Sequence, residues 1–284
     1  MLRRYLEFIK FSHTIFALPW ALAAMMLAAR ENQGWPGWRV FLLILGCMVC
    51  ARTAAMGFNR IADRKLDALN PRTKMRHLPA GQISPASACV LVCVSAAGFV
   101  LCAALINRLT LLLSPIALIV VLGYSFTKRF TSLSHFVLGL ALGLSPVGAW
   151  IAVAGEFDPR ITLLGAAVLC WVAGFDIIYA TQDYEFDRQH GLRSMVVRLG
   201  IEKSLWLARA LHAGMFLALV VFGLLSRLGV PYWAGLVIIF TSLLVEHWIA
   251  RKRDLAWINK AFFQANAVIS FVLLAAVAVD VTMG

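Results

Sequence analysis

The sequence predicts an all-α integral membrane protein, a bundle of about nine transmembrane helices. The first observation is composition: 61% of the 284 residues are hydrophobic and only 14% are charged, with a mean hydropathy of +0.82. Soluble domains are about 45–50% apolar and about 25% charged. The other two observations are the recurrence of apolar runs of membrane-spanning length and the concentration of Lys and Arg in alternate loops. Lipid is therefore expected to be the main solvent of this chain.

The apolar runs account for the predicted helices one by one. In chain order they lie near 14–29, 39–57, 85–106, 109–125, 135–154, 161–181, 205–226, 231–250 and 261–280. Each is compatible with a helix, because a backbone in lipid must satisfy its own hydrogen bonds. The first run has no small-residue cleavage site, so we interpret it as a retained helix. Pro19, Pro115 and Pro146 lie inside or near runs, where a kink or a helix start accommodates them.

The basic residues predict an orientation for the bundle. Nineteen of the 26 Lys and Arg residues fall at the N-terminus or in the loops after the second, fourth, sixth and eighth runs, and five fall on the opposite side. Because positively charged loops stay in the cytosol, we expect the N-terminus inside and the C-terminus outside, in a bacterial inner membrane. The two longest loops, 58–84 and 182–204, lie on the cytosolic side. The net charge of +12 then matches an anionic lipid surface, and nucleic acid is not an expected partner.

Each of these two long loops begins with regularly spaced side chains that carry carboxylate or amide oxygens. Asn59, Asp63 and Asp67 are four residues apart, and Asp183 and Asp187 repeat the spacing. On a helix such side chains share one face.

Like charges one turn apart destabilise a helix, and a low local dielectric increases the cost. A divalent cation bound between the carboxylates offsets their repulsion and makes this spacing favourable. Mg²⁺ typically takes one or two carboxylates and completes its shell with water and substrate phosphates. Two facing clusters are therefore predicted to hold two Mg²⁺ ions bridged by a diphosphate. Ordinary solvated helix ends are the alternative interpretation.

The motifs and their surroundings resemble the UbiA superfamily of intramembrane prenyltransferases. The resemblance is carried by NRIADRKLDALNPRTKMRHLPAGQIS from Asn59, by GYSFTKRF with Tyr124 and Lys128, and by GFDIIYATQDYEFDRQHGLRS. It spans nearly the whole chain, so residues 1–284 are treated as one domain. The resemblance implies a helical bundle around a central cavity, two Mg²⁺ ions, a polyprenyl diphosphate donor and an aromatic acceptor.

Two departures from the family pattern leave the acceptor open. Arg60 stands where many members have Asp, and the stretch 10–14, KFSHT, stands where many 4-hydroxybenzoate enzymes read Arg-x-Asp-Lys-Pro. That stretch, with IFALP after it, is similar to a subgroup of which some members are linked to menaquinone made by the futalosine route. The expected acceptor is 4-hydroxybenzoate or a related hydroxy-aromatic acid in ubiquinone or menaquinone synthesis. Dihydroxynaphthoate is the alternative.

The resemblance also assigns the site residue by residue. The implied catalytic residues are Asp63, Asp67, Asp183 and Asp187, and the implied metal ligands are Asn59, Asp63, Asp67, Asp183 and Asp187. The predicted substrate-binding residues are Arg52, Arg64, Tyr124, Lys128, Arg129 and Lys10. An intramembrane arginine such as Arg52 usually faces a cavity or a partner. Lys10 is either an acceptor contact or an interfacial lysine that extends to the lipid headgroups.

Other classes of membrane protein fit the sequence less well. A cation-coupled transporter predicts acidic groups near the bilayer midplane and inverted repeats, whereas the aspartates here lie at one boundary. A CDP-alcohol phosphotransferase carries its aspartates in one longer motif that is missing. The base that removes the ring proton is not identifiable from the sequence. For His77, His135 and His190, near the cytosolic boundary, packing is expected rather than proton transfer.

Overall fold

The computed structural model of the chain describes residues 2–10, 14, 16–32, 34–251 and 255–283, and of residues 2 and 255–262 it describes only the backbone. Residues 11–13 of the KFSHT stretch and Ile15 of IFALP therefore lie outside the described residues. The helices are α1 (Leu2–Phe8), α2 (Leu18–Glu31), α3 (Gly37–Ala62), α4 (Arg64–Leu69), α5 (Pro85–Ile106), α6 (Arg108–Thr127), α7 (Ser134–Ala154), α8 (Ile161–Ala180), α9 (Tyr184–Gln189), α10 (Met195–Leu199), α11 (Ile201–Leu225), α12 (Val230–Arg251) and α13 (Leu255–Met283).

Nine of these helices correspond to the predicted apolar runs, and the predicted all-α membrane bundle is confirmed. Within the described residues, eight helices are long and apolar enough to cross a membrane. The exception is α2, with 14 residues, which at 1.5 Å per residue spans about 21 Å. Trp20, Ala24 and Ala28 on α2 have no exposed surface. Because other helices enclose it, α2 does not have to match the thickness of the lipid.

Local sequence explains where several spans begin and end. The Ser84 side chain accepts a hydrogen bond from the Ser87 N–H and starts α5, with Pro85 in the first helical position. The Asn107 side chain accepts from the Thr110 N–H and starts α6 directly afterwards. Gly155 ends α7 at φ 73°, a conformation that favours glycine.

Glycines bring α7 and α8 into close backbone contact. A Cβ atom on Gly139 would lie 2.5 Å from the carbonyl oxygen of Leu169, and one on Gly143 would lie 2.6 Å from that of Gly165. Such small-residue contacts are the usual means of tight packing between membrane helices. The face of α8 that they cover continues into a core built around Trp171, which is fully buried.

Both aspartate motifs lie where a long helix gives way to a short one. The helix α3 ends at Ala62 and α4 begins at Arg64, with Asp63 between them at φ −89° and ψ 2°. One uninterrupted helix through this motif, as the spacing suggested, is therefore corrected to two helices joined at Asp63. The Asp67 N–H still donates to the Asp63 carbonyl at 2.8 Å, so the helical spacing survives the kink. In the second motif, a 3₁₀ turn ending at Asp183 separates α8 from α9.

Candidate active site

A polar cavity at one end of the bundle is lined by both aspartate motifs. It has a volume of about 2400 Å³ including its open mouth. Its lining includes all five predicted metal ligands, Asn59, Asp63, Asp67, Asp183 and Asp187. Segments more than a hundred residues apart in the sequence thus meet around one space.

On the first wall, Asp63 is held by basic residues from the end of α6. Its side chain is 4% exposed. Lys128 Nζ lies 2.8 Å from Asp63 Oδ2, and Arg129 Nη2 lies 3.5 Å from Asp63 Oδ1. Asn59 Nδ2 also lies 3.4 Å from Asp63 Oδ2. A buried carboxylate requires such partners, because an isolated charge in this position would be strongly destabilising.

Asp67, one turn further on, has one paired oxygen and one free oxygen. Arg76 Nη1 donates to Asp67 Oδ1 at 2.7 Å. The other oxygen, Oδ2, is buried and has no hydrogen-bond partner among the described residues. Buried polar atoms are rarely left unsatisfied, and Oδ2 is free to accept a hydrogen bond or a metal contact.

On the second wall, Asp183 is clamped by the loop that follows α4. Arg72 donates to both carboxylate oxygens, from Nε at 2.9 Å and from Nη2 at 2.5 Å. Asn70 Nδ2 donates to Asp183 Oδ1 at 3.3 Å. Although burial opposes the charge of Arg72, its hydrogen bonds to Asp183 raise the pKa of its guanidinium above the usual value. No hydrogen bond to the Asp187 carboxylate is found among the described residues.

The donor set fits magnesium by chemistry. The predicted ligands offer only carboxylate and amide oxygens, the hard ligands that Mg²⁺ prefers. Over the described residues, however, no three His, Cys, Asp or Glu side chains are close enough together to form a ready-made metal site. Arginine and lysine groups occupy the carboxylates instead, so binding a metal requires that these ion pairs exchange.

Most of the predicted substrate contacts line the cavity. Arg52, Tyr124, Lys128 and Lys10 do so. Burial first, and then the positive charges of neighbouring arginines, lower the pKa of Lys10. Lys10 therefore lies in a region of positive electrostatic potential, which would stabilise a bound anion.

Two of the predicted contacts lie elsewhere. Arg64 is exposed and is not part of the cavity lining. It follows the kink at Asp63, which turns its side chain away, so the structure does not support the predicted contact. Arg129 is not part of the lining either. It donates to the Ala62 carbonyl and contacts Asp63, which fixes the corner between α3 and α4.

Sequence reasoning missed the arginines that pair with the carboxylates. Arg72 and Arg76 lie in the predicted cytosolic loop 58–84, but the sequence prediction did not include them in the site. Their four-residue spacing was the available signal, but which aspartate each one meets depends on how the loop folds back. The buried Arg60 also lines the cavity, in place of the Asp expected from the family pattern.

A second, largely apolar cavity, with a volume of about 1140 Å³ including its open sides, lies within the membrane-spanning part of the bundle. It runs between α3, α6 and α7, and Arg52 and Tyr124 line both cavities. Its far end is lined by Thr110, on the first turn of α6, and by Ala152, near the end of α7. From Tyr124 to Thr110 along α6 the distance is about 21 Å. A polar chamber thus continues into an apolar channel.

Comparison with known proteins agrees with this architecture. The UbiA prenyltransferase family model matches residues 17–272. A 4-hydroxybenzoate octaprenyltransferase of Xanthomonas campestris is 36% identical over 232 residues, which cover 81% of this chain and 76% of that protein. One of Marinomonas sp. is 32% identical and covers 94% of both chains.

Solved structures share the fold. The apo structure of a UbiA homolog from Aeropyrum pernix K1 has a TM-score of 0.85 at 32% identity, covering 95% of this chain and 98% of that one. A UbiA homolog from Archaeoglobus fulgidus bound to GPP and Mg²⁺ has a TM-score of 0.74 at 20% identity, covering 97% of this chain and 99% of that one.

A membrane bundle whose polar chamber at one face continues into an apolar channel is the architecture of an intramembrane enzyme. The chain belongs to the UbiA prenyltransferase family. The predicted family and the predicted enzyme class are therefore confirmed, and the transporter alternative has no support.

Proposed function

We propose that this enzyme transfers a polyprenyl group from polyprenyl diphosphate to a ring carbon of a hydroxy-aromatic acid, with Mg²⁺ as cofactor. The observation that carries the proposal is the connection of two aspartate motifs to an apolar channel through Arg52 and Tyr124. A donor with its diphosphate in the chamber and its isoprenoid chain in the channel satisfies both ends of this space.

Asn59, Asp63 and Asp67 on one wall, with Asp183 and Asp187 on the other, would hold two Mg²⁺ ions. Bound there, the metal supplies Lewis acidity toward the departing diphosphate. The charge balance of the chamber supports this assignment. Its lining contains as many Asp and Glu residues as Lys and Arg residues, so a diphosphate would bring negative charge that the protein alone does not offset.

The cations now paired with aspartates have a second role in this proposal. Arg72, Arg76 and Lys128 each contact one carboxylate of the predicted metal shell. When divalent cations take those carboxylates, the freed side chains can donate to diphosphate oxygens. Donors placed where negative charge develops lower the barrier for the departure of the leaving group.

Arg52 supports an acceptor that carries a carboxylate. Its Nε atom is buried and has no hydrogen-bond partner among the described residues. The guanidinium lies where the chamber meets the channel, and a planar carboxylate is its natural counterion. Relatives named 4-hydroxybenzoate octaprenyltransferase point to the same class of acceptor. We therefore favour 4-hydroxybenzoate over dihydroxynaphthoate, and ubiquinone or menaquinone synthesis as the context.

The location of the chamber follows from the charge of its flanking loops. The loops after α3 and α8 hold the aspartate motifs and belong to the side that carries nineteen Lys and Arg residues. By the positive-inside rule, the chamber opens to the cytosol of a bacterial cell and the enzyme resides in the inner membrane.

The proposal is tested with purified enzyme, Mg²⁺ and a labelled polyprenyl diphosphate, offered with 4-hydroxybenzoate or with dihydroxynaphthoate. Mass spectrometry of the extracted lipid should identify prenylated 4-hydroxybenzoate, and chelation of the metal should stop its formation. If only dihydroxynaphthoate yields a prenylated product, dihydroxynaphthoate is the acceptor and 4-hydroxybenzoate is not. Absence of any prenylated aromatic product would overturn the proposal.

A further inference from the structure

A histidine–aspartate pair lies in the wall of the chamber, apart from the predicted metal ligands. His135 Nδ1 lies 2.6 Å from Asp176 Oδ2. The His135 side chain is almost fully buried, whereas that of Asp176 is 27% exposed. Both residues line the chamber. The other ring nitrogen, His135 Nε2, is buried without a hydrogen-bond partner among the described residues.

The helix faces that carry this pair point toward the place where chamber and channel meet. His135, Leu138 and Leu142 follow each other at three- and four-residue steps along α7, so they share one face. Leu138 and Leu142 line both cavities. On α8, Asp176 and Tyr179 share the lining face in the same way. The pair therefore lines the chamber about one helical turn from the residues at its junction with the channel.

The hydrogen bond determines which nitrogen can accept a proton. When the imidazole is neutral, a carboxylate partner keeps the proton on Nδ1, and Nε2 then presents a lone pair. The same carboxylate stabilises the imidazolium that forms when Nε2 takes up a proton. A histidine oriented in this manner can act as a general base toward a proton donor that reaches Nε2.

Packing alone does not account for the pair. The contact of α7 with α8 is already secured by the glycines at positions 139 and 143, where an added Cβ atom would overlap backbone of the other helix. A histidine that served only as a link between helices would leave no reason for an unpartnered nitrogen on a residue that lines the chamber. Buried nitrogen atoms without partners are uncommon, and a substrate in the chamber would supply the missing contact.

We propose that His135, oriented by Asp176, accepts the proton that the aromatic ring loses during prenyl transfer. This inference rests on the proposed function. The C1–O bond of the donor breaks and its electron pair leaves with the diphosphate. A ring carbon of the acceptor uses a pair of π electrons to form the new C–C bond. The C–H bond on that carbon then breaks, its electrons restore aromaticity, and the proton passes to His135 Nε2 and on to water at the open mouth.

The test compares acceptors that carry hydrogen or deuterium on the ring. In the wild-type enzyme a positioned base makes proton removal fast, so turnover should depend little on the isotope. In His135→Gln, turnover should fall about 100-fold or more, and a primary isotope effect should appear because proton removal becomes rate-limiting. Asp176→Asn should show the same isotope effect with a smaller loss. His190→Gln is the matched control, since His190 is exposed and does not line the chamber.

Release of diphosphate from the donor, measured without acceptor, separates this role from a structural one. Cleavage of the donor should persist in His135→Gln and Asp176→Asn, because the aspartate motifs remain intact. The inference fails if either variant loses donor cleavage together with prenylation, or if His135→Gln keeps wild-type turnover without an isotope effect. A wild-type enzyme that prenylates no aromatic acid would instead overturn the proposed function itself.

Discussion

At the residue scale, the resting site is a set of ion pairs that a substrate complex must rearrange. Asp63, Asp67 and Asp183 each contact a basic side chain at 2.5 to 2.8 Å. Removing one partner of a buried ion pair is costly because the other charge is left uncompensated. The carboxylates are therefore held in place by basic side chains in the absence of metal. When metal binds, metal ions would replace these side chains as their partners.

Replacing Asp183 with Asn keeps the shape of the side chain and removes its charge. We expect turnover to fall by more than about 100-fold, since even the groups that support metal ligands commonly contribute 10- to 100-fold. Asp158→Asn is the control, because Asp158 pairs with Arg160 at the opposite end of the bundle. Both variants should reach the membrane in normal amounts. Near-normal turnover of Asp183→Asn would count against its assignment to the metal shell.

Arg52 should affect the acceptor and not the donor. Arg52→Met removes the proposed partner of the acceptor carboxylate, and the KM for the aromatic acid should rise about 10- to 100-fold, as is typical for a lost charged hydrogen bond. The KM for the polyprenyl diphosphate should stay near its wild-type value. Initial rates at varied concentrations of each substrate measure both constants. A rise confined to the donor would place Arg52 at the diphosphate instead.

At the scale of elements, the sequence predicted the helices and the two motifs better than the loop between them. Asp63 and Asp183 were found because their spacing is local and visible. The pairing of Arg72 with Asp183 could not be predicted, because it joins positions 111 residues apart and depends on tertiary folding. The predicted contact of Arg64 depended on the exact direction of the chain after α3. The kink at Asp63 changed that direction, and no pattern in the sequence marked it.

The contact of α7 with α8 is the element most sensitive to added volume. A methyl group on Gly139 would overlap the Leu169 carbonyl, which cannot move without shifting α8. We expect Gly139→Ala to reduce stability by about 1–3 kcal/mol, as overpacking commonly does. Gly123→Ala on α6 is the control, because nothing lies within 4 Å of the added atom. Thermal unfolding in detergent measures the difference, and equal midpoints would contradict the close packing.

At the scale of the whole molecule, composition was enough to predict a membrane bundle, but not where that bundle is hollow. The short helix α2 illustrates the difference. Its apolar run predicted a transmembrane helix near 14–29, and in the structure Trp20 and its neighbours are buried by protein. Hydropathy does not distinguish a residue that faces lipid from one that faces another helix or a cavity. The channel between α3, α6 and α7 therefore became visible only in three dimensions.

Under the proposed function, the channel predicts how the enzyme selects the length of its donor. Thr110 lines its far end, about 21 Å along α6 from Tyr124. In Thr110→Phe, the larger side chain should shorten the space that holds the distal isoprene units. We expect kcat/KM for a long polyprenyl diphosphate to fall about tenfold, a cost in the range of overpacking, while geranyl diphosphate is used as before. Leu112→Phe, on the lipid-exposed face of the same helix, should leave both donors unaffected. Equal losses for the short and the long donor would mean that the tail does not reach Thr110.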